Sequence, residues 1–190
     1  MDANKLQLLR EEIISAYAAG KQDFRRIEAE GIDLSGVDLS GVNFSQARLD
    51  GASFRNANLS HAILSEVQMT GTDLSGVNLS NAHFFESMLY EANFSNANLS
   101  GVDFGGGNGT DLSGVNLSGI NLSGAMIGNT SFGNLSGANL SNATIIFCNF
   151  THVDLSGTIF NNASIEQSNI LTQAKLYGVD LSSATLIDCC

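Results

Sequence analysis

From residue 31 onward the chain repeats every five residues, reading GIDLS GVDLS GVNFS QARLD GASFR NANLS. Each unit is centred on a large apolar residue: Leu34, Leu39, Phe44, Leu49, Phe54 and Leu59 open the series. It runs on through Leu79, Phe84, Phe94 and Phe104, resumes at Leu112, passes Phe150, and closes with Leu176, Leu181 and Leu186. There are thirty such centres and no polar exception. Two residues before each centre stands a smaller one, chiefly Ala or Val, as at Ala47, Ala52, Val37 and Val42. A period of five fits neither the 3.6 of a helix nor the 2.0 of a strand. Each unit is therefore read as one side of a coil that turns a corner and repeats. The large and small residues point inward, and the other three positions, rich in Asp, Asn, Ser and Gly, face water and make the turn. Gly and Asn tolerate left-handed backbone there, and Asx and Ser side chains bond their own backbone.

These residues resemble the signature of the pentapeptide-repeat family, A(D/N)LXX with Leu or Phe at the centre, over residues 31–187. The resemblance implies an all-β solenoid, a right-handed quadrilateral β-helix with four units per coil behind a short N-terminal α-helical cap. Thirty units then give seven and a half coils. At about 4.8 Å per coil the rod is roughly 36 Å long. In such a solenoid each coil is stabilised by its neighbours and the ends need covering.

Residues 3–19 supply the N-terminal cover, because Leu6, Leu9, Ile13, Ala16 and Tyr17 recur at helical spacing and Gly20 stops the helix. Phe24, Ile27 and Ile32 lead onto the first coil, and YAAGKQDF (17–24) looks like the caps of cyanobacterial members of the family. The expected division is 1–30 cap, 31–187 β-helix and 188–190 tail. No helix follows Leu186, and an open last coil is an edge that can pair. The resemblance implies a monomer or a C-terminal homodimer. The frame slips at three places: an eight-residue step from Phe104 to Leu112, a second one before Leu140, and one extra residue between Ile170 and Leu176.

Composition narrows the partners. The formal charge is −11, and residues 31–190 hold thirteen acids against Arg48, Arg55 and Lys175, a net of −10. Such a body repels nucleic acid and anionic lipid, which require Lys and Arg. No run of about 18 apolar residues exists to span a membrane. Charges within the first twenty residues rule out a secretory core, so a cytoplasmic location is expected. Cys148 falls on an inward small position and reads as core, while Cys189 and Cys190 close the sequence without further ligands near them.

Twenty-residue stacking puts Ile63, His83 and Asp103 in one outward column, with Phe85, Glu86, Met88 and Tyr90 around them. Large apolar residues in slots that elsewhere hold Ser, Asn or Asp suggest a contact patch for a protein of unknown identity. The loop containing Gly106 and Asn108 is expected beside it. GGNGTD (106–111) resembles the GGxGxD turn of calcium-binding β-rolls, but an apolar residue follows Asp111 at once and no second copy exists, so it reads as a Gly-rich bulge. His83 and Asp103 could pair as base and orienter, yet a convex face offers no nucleophile or oxyanion pocket. No catalytic, cofactor or metal site is expected. The reading is a non-catalytic interaction scaffold, regulatory or structural in a cyanobacterium-like cell. The alternative implied by the family is a DNA mimic that binds DNA gyrase and protects or inhibits it.

Overall fold

The computed structural model describes residues 2–105, 109–170 and 172–190. It opens with helix α1, Ala3–Ala18. Asp2 caps it by accepting from the Lys5 N–H at 2.8 Å, and Gly20, at φ +94°, lets the chain leave the helix. Ile13 is its buried anchor, with Leu6, Leu9, Ala16 and Tyr17 packed against the same core. Two side chains fasten the helix to the coil below: the Tyr17 hydroxyl donates to the Ser40 carbonyl at 2.7 Å, and Arg10 Nε donates to the Asp33 carbonyl at 2.8 Å.

The rest is one four-sided parallel β-coil, right-handed as such parallel connections almost always are. Its rungs are single bridges twenty residues apart, such as Asp33↔Ser53↔Asp73 and Asn58↔Asn78↔Asn98. Leu34 N–H reaches the Ser53 carbonyl at 2.7 Å and Ser53 N–H reaches back to Ile32 at 2.8 Å, so each coil satisfies the next. The sequence-predicted core is fully enclosed: Leu34, Leu39, Phe44, Leu49, Phe54, Leu59, Leu79, Phe84, Phe94, Phe104 and Phe150 all have no exposed surface. Burying each such side chain contributes about 1.5–3 kcal/mol. Several hydroxylic inward residues donate to a backbone carbonyl of the coil beneath, as Thr72 does to Leu49 (2.9 Å), Ser87 to Leu64 (2.6 Å) and Thr158 to Leu135 (2.8 Å), while Thr130 and Ser168 donate to carbonyls two residues back, those of Gly128 and Glu166. Among the described residues no buried side-chain polar atom lacks a partner.

The coil begins earlier than the five-residue spelling announces. Asp23 already bridges Asn43 and Glu28 bridges Arg48, and Phe24 packs on Phe44 with ring centroids 5.8 Å apart. The next centre is Ala29, fully buried but small, which hides this part of the period. Cys189 also continues the coil, its sulfur 3.2 Å from the Ile165 carbonyl, so residues 188–190 follow the wall instead of leaving it.

Among the described residues, pairing is continuous enough to form strands only beyond the first slip. The strands are β1 (Asp111–Asn116), β2 (Met126–Gly128), β3 (Ser131–Asn134), β4 (Thr144–Ile146), β5 (Ser164–Glu166) and β6 (Thr185–Ile187). They form a β1-β3 pair and a β2-β4-β5-β6 sheet, all parallel. The first slip is an insertion, since Met88 bridges Asp111 and Asp103 bridges Met126, each pair three residues beyond the usual twenty. The second corrects the sequence reading. Leu135 is a buried centre, so Phe132 to Leu135 is a step of three followed by one of five, and the coil is shortened here, not lengthened. The shortening brings Gly133 against the backbone of Val115, an approach only a residue without Cβ can make. The last coil has a neighbour on one side only, and Leu186 and Ile187 are correspondingly exposed.

Candidate interaction face

Where an Asp or Asn precedes the centre, one short-range bond recurs at the corner. The Asp or Asn just before a centre accepts the backbone N–H two residues on, as in Asp33 with Ser35 (2.9 Å), Asp73 with Ser75 (3.0 Å), Asn121 with Ser123 (3.2 Å) and Asp154 with Ser156 (3.0 Å). The Ser35 and Ser75 bonds hold the Asp33 and Asp73 carboxyls below the usual carboxylate range, since they favour the ionised form. On one face this slot becomes a ladder: Asn58 donates to Asp38, Asn78 to Asn58 and Asn98 to Asn78, at 2.9–3.2 Å, with Asn121 and Asn139 continuing it at 3.4 Å. From Asp38 to Asn139 that column is polar and nearly uncharged, and exposed Ile159 follows Asn139 in it.

A different face abandons the rule. Its pre-centre column runs Asp23, Asn43, Ile63, His83, Asp103, Met126, Thr144. Ile63, His83 and Met126 cannot make the corner bond that Asn43 and Asp103 make (2.9 and 2.8 Å). On the other side of the same wall stand Phe85, Gly105, Gly128 and Ile146. At the corner beyond them Phe147 sits at φ +57°, left-handed backbone that is uncommon for a bulky side chain and costs roughly 1–2 kcal/mol. Its counterpart one coil below is Asn129, the residue type that suits the slot. Met126 is 51% and Phe147 56% exposed, against 39% for Ile63 and 37% for Phe85. Residues that break a local rule and remain in water are where a rigid scaffold carries function.

The structure brings together most of the patch read from sequence and extends it. Ile63, His83 and Asp103 do share a column, and His83 Nδ1 lies 3.4 Å from Asp103 Oδ2. Phe85 and Glu86 follow on the same wall and its corner. Met88 and Tyr90, each 60% exposed, lie around that corner on the neighbouring side, where Met88 pairs with Gln68 and Asp111. Gly106 and Asn108 lie outside the described residues. Met126, Ile146 and Phe147 escaped the sequence reading, although each fills a slot that elsewhere holds Asp or Asn, Ser, and Gly or Asn.

Between Phe85 and Ile146 two successive glycines, Gly105 and Gly128, leave a shallow groove of about 430 Å³ lined also by Asp103, Met126, Asn129 and Phe147. Among the described residues no cluster of three or more His, Cys, Asp or Glu could hold a metal, and no helix is long and apolar enough to cross a membrane. Cys148 is core: burial pushes its thiol up to about 11, and its sulfur faces the Ile127 and Ile146 carbonyls.

A side-chain-filled parallel β-solenoid built on a five-residue period defines a solenoid repeat protein. Family models agree: a pentapeptide repeat region matches residues 37–113, and pentapeptide repeats (8 copies) match 108–134 and 134–170. The chain belongs to the pentapeptide-repeat family. It is 31% identical to HetL, a pentapeptide repeat protein involved in heterocyst differentiation regulation from the cyanobacterium Nostoc sp. strain PCC 7120, with 94% of this chain and 93% of that one covered and a TM-score of 0.38. Rfr23 from the cyanobacterium Cyanothece 51142 is similar at 20% identity, with 94% and 99% covered and a TM-score of 0.36. QnrB1, a plasmid-mediated fluoroquinolone resistance protein, is similar at 21% identity, with 86% and 81% covered and a TM-score of 0.37. No curated protein matches this sequence.

Proposed function

We propose that the protein is a non-catalytic scaffold that binds a protein partner through the wall bearing Ile63, Phe85, Met126 and Phe147. The observation that carries this is the set of exposed apolar residues, Ile63, Phe85, Met126 and Phe147, that one wall carries in slots held elsewhere by polar corner-forming residues, at a cost in local bonding. The interior supports the non-catalytic part, since the axis is filled by buried side chains and the nearest approach to an acid–base pair, His83 with Asp103, stands on an open face. A regulatory role of the kind named for HetL fits a rod that acts by contact. The acidic body, net −10 over residues 31–190, favours the gyrase-binding reading as well. The placement of that charge does not, because Asp33, Asp73 and Asp154 lie on one side, Asp38 and Asp180 on another, and the ladder between the latter two is neutral.

Affinity capture from a cyanobacterial lysate tests the proposal. Wild type is compared with Phe85→Ser, Met126→Asn, Phe147→Asn, and with a control variant changed on the ladder side at Ser80→Ala and Ser100→Ala. The triple variant is expected to lose proteins that wild type and control both retain. Identical retention by all three defeats the proposal.

A further inference from the structure

The groove over Gly105 and Gly128 differs from the rest of the wall in having a floor of backbone and walls of unlike chemistry. Met126 closes one side, Ile146 and Phe147 the top, and Asp103 stands at the edge as its one carboxylate. Its volume of about 430 Å³ lies within the range of sites that enclose a discrete group. An aromatic or long aliphatic side chain can lie on the glycine floor against Met126 and Phe147, whose exposed surface such a contact would remove from water.

Charge selects what flanks that side chain. His83 Nδ1 lies 3.4 Å from Asp103 Oδ2, and Glu66 and Glu86 occupy the corner column below. Among the described residues the only Lys or Arg in these columns are Arg25, paired with Asp23, and Arg26, both on the first coil, while Arg48, Arg55 and Lys175 are paired with acids on other sides of the rod. A second copy of the chain is disfavoured as occupant, because it would set one acidic body against another. We propose that the groove receives an aromatic or long aliphatic side chain from a different protein, within a segment whose adjacent Lys or Arg pairs with Asp103. This rests on the reading of the wall as the contact face and specifies its partner.

The test uses the full chain and a displayed library of random seven-residue peptides, followed by anisotropy titration of the enriched peptides after fluorescent labelling. Three single variants are titrated beside wild type: Met126→Asn, Phe147→Asn and Asp103→Asn. Each restores a residue type that the same kind of slot carries elsewhere, as Asn43 and Asn129 do, and Asn at 103 can still accept the Gly105 N–H. Melting curves confirm that the variants are folded. The expected result is enrichment of peptides with Phe, Tyr, Trp, Leu or Met within two residues of Lys or Arg. Their affinity should fall at least tenfold on Met126→Asn or Phe147→Asn, and at least threefold on Asp103→Asn or on raising salt. Enriched peptides that lack a basic residue but lose affinity on Met126→Asn overturn the inference while leaving the contact face intact. Peptides indifferent to all three variants, or no enrichment over a bare support, overturn the groove itself, and the capture experiment then decides separately whether the wider wall binds.

Discussion

Replacing Gly133 by Ala tests the shortened coil, on which the alignment of every later column depends. In β1 and β3 the register runs Leu112↔Phe132 and then Asn116↔Asn134, so three residues of one strand face Gly133 alone. A Cβ at Gly133 would overlap the Val115 carbonyl oxygen and lie 2.8 Å from its nitrogen and 3.0 Å from its carbonyl carbon. The obstacle is backbone within a packed wall, which cannot rotate aside. Overpacking of this kind costs about 1–3 kcal/mol, and a backbone clash belongs at the upper end. For a chain of this size each kcal/mol moves the midpoint by roughly 2–4 °C, so a fall of about 6–12 °C is expected in thermal denaturation followed by circular dichroism. If the segment were instead an eight-residue insertion, Gly133 would lie in a loop, and Ala there would be neutral or would gain about 0.4–1 kcal/mol from the unfolded chain. An unchanged or raised midpoint for Gly133→Ala refutes the register.

Phe147→Asn should raise stability by about 1 kcal/mol, since Asn tolerates the left-handed corner that Phe occupies under strain; a midpoint lowered by the change would show that Phe147 is held by packing. The Cys148 thiol, pushed up to about 11 by burial, stays protonated at pH 8 and should resist a thiol-specific disulfide reagent in the folded protein while exposed Cys190 reacts. Because the folded value is the raised one, the stability linked to Cys148 is complete below about 9 and is lost as the pH climbs toward 11. Rapid modification of Cys148 under native conditions would contradict its burial.

The core was legible in the sequence because a dry axis accepts no polar residue at any centre, so the demand repeats at every fifth position and leaves a mark no local preference can mask. Ala29 was missed as a centre for the converse reason: beneath α1 a small residue suffices. Leu135 was missed because the sequence step from Phe132 to Leu140 equals the earlier insertion in length, and only the stacking of Leu135 between coils reveals a deletion. The wall was legible in part. Ile63, His83 and Asp103 fall in one column by twenty-residue arithmetic, which holds as far as residue 103. Beyond it the offsets become twenty-three and then eighteen, as in Asp103↔Met126 and Met126↔Thr144. Met126 and Phe147 therefore join the patch only once the slips are assigned in three dimensions.

The most direct test of the stacked, water-free axis is a pair of melts on two adjacent residues that the fold turns opposite ways. Leu79 has no exposed surface and lies in the column of Leu59 and Leu99, while Ser80 faces outward. Leu79→Asp buries an uncompensated carboxylate, a loss of about 3–5 kcal/mol, and should lower the midpoint by about 10 °C or more or abolish the fold. Ser80→Asp should shift it by no more than a degree or two. Equal midpoints for the two variants would contradict the account.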